Sequence, residues 1–155
     1  MLNSNDEQNA GVSLLRQGEA GNAIAIARML QAGLQPFVPS LDTGTDLAVE
    51  IDGKFVRLQV KTSSFADKRA AKGARRFSLR RSTHNQGKRD YENETPHFFL
   101  CVSLPSEDIY VVPFAALKGR KGRKRPGSIT IRSDDSRKNA WHLLKKSEYT
   151  DAKQQ

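Results

Sequence analysis

The chain has 155 residues, the length of one ordinary domain with a hydrophobic core and short for two, so residues 1–155 are expected to form a single domain with polar, loose ends at about 1–10 and 151–155. A lone cysteine, Cys101, excludes an internal disulfide, and with three scattered histidines it offers no zinc-ligand spacing. No apolar run reaches the length of a membrane span and no basic-then-apolar leader follows Met1, so the expected compartment is the cytoplasm, without a membrane partner.

In chain order, Leu14, Leu15, Ile24, Ala27, Met29 and Leu30 recur at helical intervals and predict a helix over residues 12–30, stopped by Gly33, Leu34 and Pro36. Residues 35–39 read as a short strand bounded by prolines, and residues 41–45 as a turn-rich approach. Over residues 46–61 two alternating runs flank Asp52-Gly53, the dipeptide of a two-residue type I′ hairpin turn, because both residues tolerate positive φ. Counting outward, Ile51 opposes Lys54, Val49 opposes Val56, Leu47 opposes Leu58 and Asp46 opposes Gln59. Opposed side chains share a face, so Leu47, Val49, Ile51, Val56, Leu58 and Val60 form a core face, and Asp46, Arg57, Gln59 and Lys61 lie on the other. Beyond this hairpin, Phe77, Leu79 and Arg81 suit a strand, followed by a polar loop to Glu94. Residues 97–104 are a dense apolar run typical of a strand buried on both sides, and residues 108–112 a further strand. A short helix at 113–117, a strand at 128–132 and a closing helix at 136–149, anchored by Trp141, Leu144 and Tyr149, complete an α/β (α+β) order: a sheet with helices packed on it.

The net charge of +9 is unevenly spread: residues 1–67 carry a balance of −3 and residues 68–155 one of +12. Residues 68–89 hold nine basic side chains and no acidic one, and residues 118–125 hold six basic side chains among eight. Two such runs in one small chain point to a polyanion, with a solvated basic surface as the alternative. Neither run has large apolar residues opposite its charges, as a membrane-surface helix would.

The chemistry concentrates on the polar hairpin face. Asp46 and Gln59 are expected about 5 Å apart at Cβ, with Lys61 the diagonal neighbour of Asp46. One carboxylate and one amide oxygen beside a substrate phosphate suit Mg²⁺, which prefers oxygen ligands and keeps several waters. Such an ion polarises the phosphate, and Lys61 can hold the attacking water or stabilise charge developing on phosphorus. The alternative is an exposed polar sheet face. Glu19 aligns with Ala23, Ile26 and Leu30 at steps of four, three and four, so it is expected to face the sheet; the alternative is a first-turn acid favoured by the helix dipole.

Gly18-Glu19, the stretch 39–46 followed by Leu47-Ala48-Val49, and Arg57-Leu58-Gln59-Val60-Lys61-Thr62 together resemble the PD-(D/E)xK nuclease superfamily over about residues 17–115. The Gln-Val-Lys-Thr form looks most like the small endonucleases associated with group I introns; restriction endonucleases and junction resolvases are more distantly similar. The resemblance implies a mixed central sheet flanked by helices, restriction-endonuclease-like, with cleavage of double-stranded or branched DNA dependent on Mg²⁺ (Mn²⁺ as substitute) and a homo-oligomer, dimer or tetramer. Carried over position by position, Asp46 is the metal ligand, Gln59 takes the second acidic position, Lys61 is the catalytic lysine and Glu19 is the acid of the first helix. Gln59 departs from the commoner Asp or Glu, which should weaken metal binding; the expectation is one metal ion with Glu19 compensating through water, with an inactive descendant as the alternative.

Arg75, Arg76, Arg80, Arg81, Lys88 and Arg89 are expected to grip phosphates, and Tyr91 resembles a recurring tyrosine of the intron-associated group, with a packing aromatic as the alternative. His97 reads as a satisfied strand-end histidine, His142 as helix surface and Cys101 as inert core. Two rival functions remain: a non-catalytic nucleic-acid binder with a degenerate nuclease fold, and a basic ribosome-associated or chaperone-like protein, which leaves the hairpin face unexplained.

Overall fold

A computed structural model describes residues 4–40, 44–64, 73–83, 87–89, 96–117 and 126–145; for 4–12, 81–83 and 87–89 it describes the backbone alone. The first helix, α1, runs Ser4–Gln31, eight residues earlier than its apolar periodicity predicts, so the N-terminal residues expected to be loose include a helical stretch. It ends as its glycine requires: Gly33 is left-handed at φ 76, and Leu34 N donates to Met29 O at 2.9 Å, closing the final turn.

Strands β1 (Pro36–Phe37), β2 (Leu47–Ile51) and β3 (Lys54–Ser63) follow. The β2–β3 hairpin has the register read from its turn: Leu47 opposes Leu58, Val49 opposes Val56 and Ile51 opposes Lys54. Asp52 at φ 51 and Gly53 at φ 75 supply the two left-handed residues of the type I′ turn. β7 (Phe98–Ser103) then pairs parallel with β3, and β8 (Asp108–Pro113) antiparallel with β7, giving a mixed five-stranded sheet in the order β1-β2-β3-β7-β8. Between β3 and β7 lie β4 (Arg75–Ser78), where a strand is expected at Phe77, and a short ribbon, β5 (Arg81–Thr83) with β6 (Gly87–Arg89), so Arg81 opens a second strand instead of continuing the first and a hairpin replaces the polar loop expected after it. β9 (Ser128–Ile131) pairs antiparallel with β4.

The sheet separates two cores. On one face Leu47, Val49, Val56, Leu58, Phe98, Leu100, Val102, Ile109 and Val111 pack with Ala25 and Met29 of α1 and with Leu144. On the other, Phe99, Cys101, Tyr110 and Val112 pack under Phe77, Leu79 and Ile131 of the β4–β9 ribbon and under Phe114. β7 is buried along its whole length, as expected of a strand with a layer on each side. The fold is therefore α+β with a mixed sheet, and a β-ribbon rather than a second helix covers the far face among the described residues.

The buried stripe of α1 is Gly21, Ala25 and Met29; of the expected Ala23, Ile26 and Leu30, only Ile26 packs against the core, half-buried like Ile24, while Ala23 is exposed and Leu30 is 52% exposed. Glycine sets the spacing, because a Cβ at Gly21 would collide with Thr62 Oγ1 on β3. The closing helix expected at 136–149 is a 3₁₀ turn at Trp141–Lys145. Its predicted start is committed elsewhere. Asp135 Oδ1 accepts from Arg137 N at 2.9 Å, Val111 N donates to Arg137 O, Asn139 N donates to Ile109 O, and Asn139 is left-handed at φ 49. The guanidinium of Arg137 also bonds Asp135 at 2.7 and 2.8 Å, which holds that carboxyl below the usual aspartate range. Tyr149 lies outside the described residues.

Candidate active site

β3 is central in the sheet and alternates faces, so Phe55, Arg57, Gln59 and Lys61 share the side opposite α1. Asp46, immediately before β2, is brought against Gln59. Its Oδ2 accepts from Gln59 Nε2 at 2.5 Å and from Val60 N at 2.8 Å. Asp46 is half-buried and Gln59 is 9% exposed, so little water competes for these bonds. Gln59 Oε1 is buried without a hydrogen-bond partner among the described residues, as is Thr45 Oγ1 next to Asp46. A buried, unpaired carbonyl oxygen is costly and asks for a donor or a cation.

Lys61 is half-buried and reaches toward the ribbon side, where its Nζ donates to Arg80 O at 2.8 Å. Cys101 sits directly across from it on β7, fully buried. Burial pushes that thiol up to about 12, with Arg137 and Lys61 pulling weakly the other way, so Cys101 is a protonated core residue as read from the sequence.

The structure corrects the expected place of Glu19. It is exposed, because the α1 surface that meets β3 is the one carrying Gly21, and Gln17, not Glu19, reaches Ser64 Oγ, at 3.2 Å. Among the described residues no three His, Cys, Asp or Glu side chains converge on a possible metal position, so a cation here would take one carboxylate and depend on amide, water or phosphate oxygens for the rest.

The basic residues divide by strand parity. Arg75 opposes Ile131 and is half-buried on the inward side; Arg76 is exposed and donates to Ser128 Oγ at 3.1 and 3.2 Å. Arg80 is exposed, its guanidinium laid so closely over Gly127 that a Cβ there would come within 2.6 Å of Nε. Arg81 and Arg89 oppose each other on the β5–β6 backbone, with Lys88 opposite Ser82. Tyr91 and the run 118–125 lie outside the described residues. His97 is tied down, its Nδ1 accepting from Arg57 N at 3.0 Å and its own N–H donating to Arg57 O at 2.9 Å; His142 is exposed.

One feature of this face was not anticipated. Phe55 and Phe37 meet edge to face, ring centroids 5.5 Å apart, and are 59% and 42% exposed. The signal was present in the parity of Phe55 with Arg57, Gln59 and Lys61, which places an aromatic on the polar side of the hairpin.

A family model described as PD-(D/E)XK endonuclease matches residues 13–150. No curated protein matches the chain. Among solved structures, a bacterial homing endonuclease, I-Ssp6803I, is similar with a TM-score of 0.59 and 22% identity, over 83% of this chain and 88% of that one, a likeness of fold.

Proposed function

Since the chain belongs to the PD-(D/E)XK endonuclease family, we propose that it is a metal-dependent endonuclease that hydrolyses phosphodiester bonds of double-stranded or branched DNA, with residues 13–150 as one nuclease unit. The observation that carries this reading is the pairing of the Asp46 carboxylate with the Gln59 amide on the face that also bears Lys61. The donor set fits a hard divalent cation such as Mg²⁺, with Mn²⁺ as substitute: a fixed carboxylate stands beside a buried carbonyl oxygen, Gln59 Oε1, that has no other partner among the described residues. Asp46 and Gln59 would hold the ion, which when bound would supply charge against the phosphate and a more acidic water.

The chain's own residues do the rest. Val60 N fixes one carboxylate oxygen of Asp46, so the group is oriented before substrate arrives. Lys61, aimed by the Arg80 carbonyl, brings a positive charge to the same face, suited to a phosphate gaining negative charge. Arg76 and Arg80, with the basic residues Arg81, Lys88 and Arg89 carried by β5–β6, would hold flanking phosphates. Glu19, being exposed, is not part of this set. The Gln59–Asp46 hydrogen bond also favours a second reading, a DNA-binding protein whose site has lost its chemistry, because Asp46 Oδ2 is held by Gln59 Nε2 and Val60 N without a cation.

Purified protein incubated with supercoiled plasmid and a branched DNA junction, in Mg²⁺, Mn²⁺ or EDTA, separates the two. Metal-dependent nicking that vanishes in Asp46→Ala is expected; binding without scission in either metal would leave the second reading.

A further inference from the structure

The sheet face that carries Asp46, Gln59 and Lys61 is covered on its β7–β8 half by the β4–β9 ribbon, while on its β1–β3 half Phe37, Glu50, Phe55 and Arg57 are exposed. Along β3, same-face residues succeed one another at roughly 7 Å, so Arg57 stands one step and Phe55 two steps, roughly 13 Å, from Gln59. We infer that this open half of the face is a platform for an unpaired nucleobase, and hence that the substrate has splayed or unpaired nucleotides a short way from the cleaved bond. The inference rests on the nuclease reading of Asp46, Gln59 and Lys61.

Three observations point to a base. Arg57 offers a phosphate contact between the site and the rings, on a chain of net charge +9. The edge-to-face contact of Phe37 with Phe55 braces the pair and leaves ring surface open, the arrangement on which single-stranded nucleic acid stacks. Glu50 directly opposes Phe55; a carboxylate there repels phosphate but accepts a hydrogen bond from the exocyclic amine of a base, so the edge of a base fits this position and a strand backbone does not. A second copy of the chain fits less well. At 42% and 59% exposure the two rings present roughly 200 Å², against about 800 Å² per partner in a stable interface.

The test is binding in EDTA, measured by fluorescence anisotropy with a labelled matched duplex and with the same duplex interrupted by three unpaired nucleotides. The protein is expected to prefer the interrupted duplex. Phe55→Ala should weaken that complex about 5- to 100-fold, the loss of one stacked base, with a smaller loss on the matched duplex, and Phe55→Tyr should retain the preference. Equal losses on both duplexes, or none, would overturn the inference; so would a changed sedimentation coefficient for Phe55→Ala, which would assign the face to contact between copies. If the preference holds but plasmid is never cut, only the nuclease reading fails.

Discussion

The two faces of β3 obey different rules. Its inward residues Val56, Leu58 and Val60 belong to the core under α1, where exposure falls to between 0 and 7% and each side chain is chosen by volume. Its outward residues Phe55, Arg57, Gln59 and Lys61 run from a 59%-exposed ring to a buried amide. The proposals above assign them to binding and chemistry instead of packing. Because the side-chain period of a strand is two, residues one apart on the same backbone answer to stability on one side and to chemistry on the other.

The sharpest way to break that comparison is a pair of truncations three residues apart. Lys61→Ala should slow DNA cutting about 10²- to 10³-fold, as when one preorganised charge-stabilising donor is removed, and shift the melting temperature little. Leu58→Ala should cost about 2–5 kcal/mol of stability while folded protein still cuts. Chemical denaturation and plasmid nicking on both variants check this; coupled loss of stability and activity in both would dissolve the distinction between faces.

A second substitution sharpens the outward face. Gln59→Glu sets a carboxylate against Asp46 in place of a hydrogen bond, so in EDTA at pH 7 it should cost about 1.5–3 kcal/mol. Mg²⁺ should then raise the variant's melting temperature more than the native protein's, because the cation neutralises the new repulsion. Equal shifts would remove Gln59 from the metal's surroundings.

The smallest effect probes the inward face. Gly21→Ala gains about 1 kcal/mol of helix propensity and loses about 1–3 kcal/mol by driving a methyl into Thr62, so a net destabilisation is expected in a denaturant melt. Adding Thr62→Ala should recover most of it; a double variant no better than the single would show that the close approach of α1 to β3 is not what glycine provides.

The hairpin, its register and the Asp46–Gln59 contact were legible in the sequence because Asp52-Gly53 permits one turn, and a two-residue turn dictates parity for every residue on either side. β7 was legible for a different reason, as an unbroken apolar run too short for a buried helix suits a doubly covered strand. The packing of α1 was not. Its inward stripe begins with glycine and alanine, which a search for apolar residues reads as weak or disruptive, and Glu19 was consequently turned the wrong way. The 3₁₀ turn at Trp141 escaped for a long-range reason: the backbone at 137–139 bonds to β8, and no local pattern contains that partner. The β5–β6 ribbon and the Phe37–Phe55 pair were missed because one lies in a polar stretch without alternation and the other joins two strands through a third.

The parallel pairing of β3 with β7 has a consequence for how such a protein can change. Two neighbouring parallel strands cannot be joined by a tight turn, so the chain between Ser63 and Phe98 must leave the sheet and return, and the mutual bonds of Arg57 with His97 mark where it comes back into register. That excursion holds the first basic run. Loop-closure entropy grows only with the logarithm of length, about 0.6 kcal/mol for each doubling, so residues beyond the anchoring Phe77 and Leu79, and beyond Arg80 whose carbonyl holds Lys61, can be lengthened, shortened or exchanged at little thermodynamic penalty to the sheet. On the nuclease proposed above, DNA contacts made by this excursion would be uncoupled from the scaffold and open to change without disturbing Asp46, Gln59 or Lys61.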